Sequence, residues 1–206
     1  MKKGKFNPRL LSTIKTVISH EIAASRKPIL NELVKYINSK RASESEVYLN
    51  FICTHNSRRS QFCQIWAETA SAYYNKKVYC FSGGLEITEF NINAVNTIKK
   101  SGFDVIKSGS KNPTYDLYYS DNRVRSISVF SKLYNDPVNK ANSFAAVMTC
   151  SDAEENCPFV INAEKRFFLQ YNDPKSFDNS PYKAEKYNEC SLQIASELFY
   201  IFRNVE

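Results

Sequence analysis

Histidine is scarce in this chain of 206 residues: only His20 and His55. That scarcity argues against a metal centre built on imidazole, and no metal site is expected. Glycine is almost as rare, with five residues. So low a glycine content does not suit a small loop-rich scaffold held by disulfides, despite the six cysteines at 53, 63, 80, 150, 157 and 190. Reduced thiols are the better reading, and with them a cytoplasmic location. Long apolar runs are also missing, and the opening Met1-Lys2-Lys3-Gly4-Lys5 leads into no signal-type apolar stretch, so neither a membrane span nor membrane binding is expected.

The net charge of +7 is confined to one end. Residues 1–45 hold ten Lys or Arg against three Glu, while the rest of the chain balances eighteen bases with eighteen acids. No aromatic interleaving and no base-reading motif accompanies the basic end, so it reads as a solvated helical surface and no nucleic-acid partner is expected. Within those 45 residues Leu10, Leu11, Ile14, Val17, Ile18 and Ile22 form one helical stripe. Ile29, Leu30, Leu33, Val34 and Ile37 form another, with Pro28 suited to a first turn. The expectation is a helical N-terminal extension over 1–45, packed on a catalytic domain over 46–206, with a polar linker from Ser39 to Glu46.

From Val47 the pattern turns to α/β. A buried strand over 47–52, a helix over 61–74, a strand over 77–81 closed by Ser82-Gly83-Gly84, and a helix from Asn91 to Lys100 predict a parallel sheet. Tyr115 to Tyr119 and Val124 to Phe130 predict a β-hairpin, with Tyr115, Tyr118 and Tyr119 as packing residues. Strands are expected over 144–149 and 166–171, then a last helix over 183–202. Together these give a three-layer α/β fold, a central four-stranded parallel sheet with helices on both faces.

The chemistry concentrates in Cys53-Thr54-His55-Asn56-Ser57-Arg58-Arg59-Ser60. A strand that turns directly into a helix leaves the N–H groups of the turn and of the first helical turn without intrahelical partners. Such N–H groups make a concave site for a tetrahedral oxyanion, and Arg59 adds a fork of donors. Thr54, His55, Asn56, Ser57, Arg58 and Ser60 complete the expected binding loop. Helix N-termini and neighbouring cations favour the thiolate form of a cysteine, which makes Cys53 the nucleophile and Ser60 a donor to its sulfur. Asn56 suits the left-handed backbone that a tight loop needs. Cys63, Cys80 and Cys190 fall at core-like positions, and His20 lies on a helix flank.

This loop resembles that of the low-molecular-weight protein tyrosine phosphatase superfamily, whose signature is Cys, five residues, Arg, Ser. The resemblance implies that Asp173, in a late Asp173-Pro174 pair, is the general acid. The chemistry also calls for such a group, since an oxygen must be protonated as it leaves. Cys150-Ser151-Asp152-Ala153-Glu154-Glu155-Asn156-Cys157 is similar to a stretch of the thioredoxin-coupled arsenate reductases. Their likeness implies a relay in which Cys53 forms an arsenate adduct, Cys150 takes a disulfide with Cys53, and Cys157 moves it to the 150–157 pair. No bound cofactor is implied, but an external thiol reductant such as thioredoxin is. The alternative is a phosphatase for aryl phosphates or phosphoproteins, with a cysteinyl-phosphate intermediate. Lys175-Ser176-Phe177 after Asp-Pro, in place of paired tyrosines, weighs against it. Where some reductases carry a cation-binding glutamate, this chain has Gln64, and residues 107–142 are longer than in short reductases.

Overall fold

The computed structural model describes residues 6–140, 142–151 and 159–206. Strands β1 (Tyr48–Cys53), β2 (Tyr79–Gly84), β6 (Phe144–Met148) and β7 (Ala163–Phe168) form a sheet in the order β2-β1-β6-β7, and every pairing is parallel. Between them lie helices α3 (Arg59–Tyr74) and α4 (Ile92–Lys100), and α5 (Lys183–Asn204) closes the chain. The α/β fold with a four-stranded parallel sheet is the one the sequence predicts.

β1 is one of the two inner strands, flanked on both sides, and its side chains alternate between two apolar clusters. Leu49 and Phe51 face the larger cluster, with Phe62, Trp66, Ile194 and Leu198 from α3 and α5. Ile52 faces the smaller one, with Phe144, Ala146, Met148 and Val160. A strand buried on both faces has no polar side to spare, which explains its near-continuous hydrophobicity.

The second sheet is antiparallel, in the order β3-β4-β5, built from β3 (Asp104–Ser108), β4 (Thr114–Tyr118) and β5 (Ser126–Val129). It realises the hairpin expected from residues 115–130 and adds β3. Tyr115 and Tyr119 are buried, and Tyr115 packs edge-on against Phe90 at 5.7 Å.

Helices α1 (Pro8–Ser19) and α2 (Lys27–Ala42) lay their apolar stripes on the large cluster, mainly against α5. Asn7 caps α1 by accepting from the Leu10 N–H at 2.9 Å, while its Nδ2 donates to the Gly102 carbonyl at 2.8 Å. Gly102 has φ +106, and a Cβ there would lie 2.5 Å from the Leu10 nitrogen, so only glycine admits α1 so close.

Several boundaries differ from expectation, three of them for a clear physical reason. The polar run from Ser39 is helical up to Ala42, because Ser39 bonds back to the Tyr36 carbonyl and Lys40 pairs with Glu164 on β7. Ser82, Gly83 and Gly84 belong to β2, where a Cβ on Gly83 would sit 2.2 Å from the Tyr134 Cα. β7 starts at Ala163, earlier than the apolar run, because its register with β6 begins at Phe144–Ala163. Among the described residues no helix is long and apolar enough to cross a membrane.

Candidate functional site

β1 delivers Cys53 to the carboxyl end of the sheet, and after five intervening residues α3 begins at Arg59. The turn between them is held in large part through its carbonyls. The Thr54 carbonyl accepts from the N–H groups of Leu85 and Glu86, at 2.8 and 2.9 Å. That of His55 accepts from the hydroxyls of Thr88 and Ser131, at 3.1 and 2.9 Å. The Asn56 carbonyl takes the Gln61 amide at 2.9 Å, that of Ser57 the Asn91 N–H at 2.9 Å, and that of Arg58 the Phe62 N–H at 2.9 Å.

With five successive carbonyls turned out, the N–H groups turn in. Those of His55, Ser57 and Arg58 have no hydrogen-bond partner among the described residues, and the Asn56 N–H donates to the Cys53 sulfur at 3.1 Å. Buried N–H groups are costly to leave unpaired, so a concave set of them is a standing demand for an anion.

Asn56 is the keystone. It is fully buried with φ +46, the left-handed geometry expected of it. Its Nδ2 donates to the Ser60 Oγ at 2.8 Å, and its Oδ1 accepts from the Lys132 N–H at 3.0 Å and from Gln61 Nε2 at 3.2 Å. Since Asn56 donates to Ser60, the Ser60 hydroxyl is left to point at the Cys53 sulfur, 3.0 Å away.

Arg59 spans the opening. Its Nη1 donates to the Tyr171 carbonyl at 3.1 Å and its Nη2 to Asp173 Oδ2 at 2.6 Å. Asp173 uses its other oxygen to cap a short 3-10 turn over Pro174–Phe177, accepting from the Lys175 N–H at 2.9 Å. The turn-forming role and the place beside Arg59 therefore coexist in one carboxylate, about a third exposed.

Not every loop side chain faces the cradle. Arg58 turns away: its Nε donates to the Tyr187 hydroxyl at 2.7 Å and its Nη2 lies 3.3 Å from Asp178. In those bonds its guanidinium braces the loop against α5 and Asp178. His55 is half exposed, 3.4 Å from Glu86. The Ser57 hydroxyl donates outward to the Glu89 carbonyl at 2.6 Å.

Cys150 stands two residues beyond the end of β6. The register pairs Ile52 with Met148, and continued past the strand ends it sets Cys150 across from Thr54, whose hydroxyl lies 3.7 Å from its sulfur. Adjacent strands are about 5 Å apart, so Cys150 is a near neighbour of Cys53. Cys157 lies outside the described residues. Cys63 and Cys80 are buried, and burial pushes their thiols well above the ordinary range. Burial also pushes Cys190 up to about 12, against the opposing pull of Arg59. These three are inert packing groups.

Sequence reasoning missed Gln61 and Lys132, both buried polar residues that hold Asn56 from positions remote in the chain or hidden within a helix stripe. A fully buried Gln in the first turn of α3 is the one local signal. Among the described residues no cluster of His, Cys, Asp or Glu could hold a metal ion.

No protein-family model matches the chain. It is 33% identical over 149 residues to the arsenate reductase of Staphylococcus aureus (strain Newman), a match spanning 72% of this chain and 92% of that one. To the arsenate reductase of Bacillus subtilis (strain 168) it is 31% identical over 124 residues, 60% of this chain and 71% of that one. In fold it is similar to the low-molecular-weight protein tyrosine phosphatase from T. tengcongensis, with a TM-score of 0.53 at 17% identity, covering 74% of this chain and 95% of that one.

Proposed function

This chain belongs to the arsenate reductase family, on the fold of the low-molecular-weight tyrosine phosphatases, and from that premise we propose that it reduces arsenate to arsenite through Cys53, Cys150 and Cys157. It is an enzyme of the reductase or the phosphatase kind; the choice between them is carried by Cys150. A second thiol one strand away from the nucleophile serves no purpose in phosphate hydrolysis, whereas reduction requires one within reach of the first.

In the proposed course, arsenate enters the N–H cradle and Arg59 grips two of its oxygens. The Cys53 thiolate attacks arsenic while Asp173 gives a proton to the departing oxygen, which leaves as water. Cys150, as thiolate, then attacks the Cys53 sulfur. The electron pair of the breaking S–As bond stays on arsenic, which becomes As(III) and departs as arsenite, and a Cys53–Cys150 disulfide remains. Cys157 attacks Cys150, freeing the Cys53 thiolate, and a thioredoxin-like dithiol returns two electrons and two protons to the 150–157 disulfide. In the resting arrangement Arg59 gives one N–H of each terminal nitrogen to the Tyr171 carbonyl and to Asp173, which leaves its other N–H donors for the oxyanion.

A phosphatase reading has one observation in its favour. A cleft of about 570 Å³ adjoins Asp173, lined by Pro174, Phe177, Lys186 and Gln193, and it has room for the aryl or peptide part of a phosphorylated substrate. The test is arsenate-dependent NADPH consumption in the presence of thioredoxin and its reductase, for wild type and Cys157→Ser. Turnover that collapses in the variant establishes the relay. Absence of turnover, with hydrolysis of para-nitrophenyl phosphate that needs Cys53 but ignores Cys157, makes the protein a phosphatase.

A further inference from the structure

The N-terminal helical pair reaches toward the active-site region through Arg26. This residue caps α2 and is set in the α1–α2 turn, where its N–H donates to the Ala23 carbonyl at 2.9 Å. Its guanidinium forms a two-pronged pair with Glu197 of α5, Nε and Nη2 each 2.8 Å from one carboxylate oxygen. Glu197 is only 2% exposed and is also approached by Gln193 at 3.3 Å. The Arg26 side chain is 22% exposed, so the pair sits at the edge of the core, with the carboxylate buried and its desolvation consuming much of the attraction.

The other side of the guanidinium identifies what the pair supports. Its carbon lies 5.1 Å from the centre of the Tyr171 ring, a stacking distance for arginine on an aromatic face. Tyr171 is buried, and burial beside the Glu197 carboxylate drives its hydroxyl far above its ordinary range, so the ring stays neutral. The backbone of Tyr171 is pinned at both ends, donating to the Thr149 carbonyl at 3.2 Å and accepting from Arg59 Nη1 at 3.1 Å. Arg59's other nitrogen holds Asp173, two residues further on. A contiguous line of contacts therefore runs from Arg26 through the ring and carbonyl of Tyr171 to Arg59 and Asp173.

We propose that Arg26 is a positioning residue for the oxyanion site: by clamping the Tyr171 ring against Glu197 it fixes the carbonyl that aims Arg59 and, through Arg59, the carboxylate of Asp173. This rests on the proposed roles of Arg59 and Asp173. It also gives the N-terminal extension a task in the chemistry, since the residue it contributes stands behind the site without touching substrate.

The test uses the full chain with Arg26→Met and Arg26→Lys, each checked for native near-ultraviolet circular dichroism. Two equilibrium readouts need no turnover: the affinity for inorganic phosphate, and the nitrogen NMR signals of the Arg59 guanidinium, which report its hydrogen bonds. Residues along such contiguous networks alter coupling by about 2- to 30-fold. Arg26→Met is expected to weaken phosphate binding by that factor and to shift the Arg59 signals. Arg26→Lys, which keeps the charge without the fork, is expected to recover only part of both. A purely structural role would change neither quantity in the folded fraction. Should Arg26→Met not fold, Glu197→Gln, which keeps the shape and weakens the pair, is expected to shift both readouts the same way. Wild-type phosphate affinity and unmoved Arg59 signals in a folded variant overturn the proposal. If wild type itself fails to bind phosphate, the cradle reading falls, and the Arg59 signals still decide whether Arg26 is coupled to the site.

Discussion

Replacing Asn56 by alanine probes whether the anion site is held by its side-chain bonds or only by its backbone shape. The substitution removes the donor to Ser60 Oγ and the acceptor of the Lys132 and Gln61 bonds. The Lys132 N–H is then left in a buried place without its partner, at a cost of about 1–3 kcal/mol. Losing the Ser60 bond adds about 1 kcal/mol. Alanine at φ +46 adds about 1 kcal/mol of left-handed strain that asparagine tolerates better. The sum is about 3–5 kcal/mol, a large share of the roughly 5–15 kcal/mol that stabilises a typical domain. Urea denaturation by linear extrapolation measures it. Asn56→Gly is the companion variant. Glycine relieves the strain but restores no bond and adds about 0.5–1 kcal/mol of unfolded-chain entropy, so it should fall within about 1 kcal/mol of alanine. A cost below about 1.5 kcal/mol for alanine, or wild-type stability for glycine, refutes the reasoning: conformation alone would then be what Asn56 supplies.

Gly84→Ala places a Cβ 2.7–2.9 Å from the Glu86 and Thr54 carbonyl oxygens and the Asn56 nitrogen, all backbone atoms that cannot rotate aside. It should cost about 1–3 kcal/mol and weaken phosphate binding at least tenfold, read by calorimetry; unchanged affinity would show that the loop tolerates displacement. Lys132 is 3% exposed, and burial holds its ammonium down from 10.5 to about 8, against the opposing pull of Asp136 and Glu68. The folded state thus favours the neutral amine, and the penalty is absent above the ordinary lysine range and grows as pH falls through 10.5 toward 8. At about 1.4 kcal/mol per unit the penalty reaches about 3 kcal/mol, and a lost contact with the Phe130 ring returns about 1. Lys132→Met, which keeps the backbone N–H, should therefore be about 2 kcal/mol more stable than wild type at pH 7, with the gain gone by pH 10; a gain independent of pH, or a loss at pH 7, contradicts it.

What could be read from the sequence is what is local. Cys53 and Ser60 lie at the two ends of one strand-loop-helix junction, and the 3.0 Å contact between their side chains follows from that spacing. Asn56 was legible for the same reason, since few residues accept φ +46. Arg58 was not. Adjacent arginines at a helix start point in directions about 100° apart, and which of them meets the cradle depends on where Tyr187 and Asp178 wait, 120 or more residues away. The edge strand β7 was misplaced because its start is fixed by pairing with β6, and the polar Glu164 and Lys165 at that edge carry no apolar signal. Ser82 to Gly84 read as a turn from composition, yet they form the last pairs of β2, because the backbone of Tyr134 and that of the loop approach too closely for larger residues.

The loop motif is thus necessary and insufficient. A Cys, five residues, Arg and Ser specify a turn, but a turn becomes an anion site only if its carbonyls are drawn outward. Here that work is divided between two segments far from the motif. Residues 85–91 engage the carbonyls of Thr54 and Ser57, share that of His55 through Thr88, and receive the Ser57 hydroxyl at Glu89. Residues 130–132, at the end of the three-stranded sheet, take the His55 carbonyl through Ser131, the Asn56 side chain through the Lys132 N–H, and Gln61 through the Phe130 carbonyl. Asn112, before β4, ties Ser131 in place with a bond in each direction, at 2.7 and 3.1 Å. The stretch over 107–142 therefore does more than pack aromatic rings: it carries one of the two walls against which the oxyanion loop is held open.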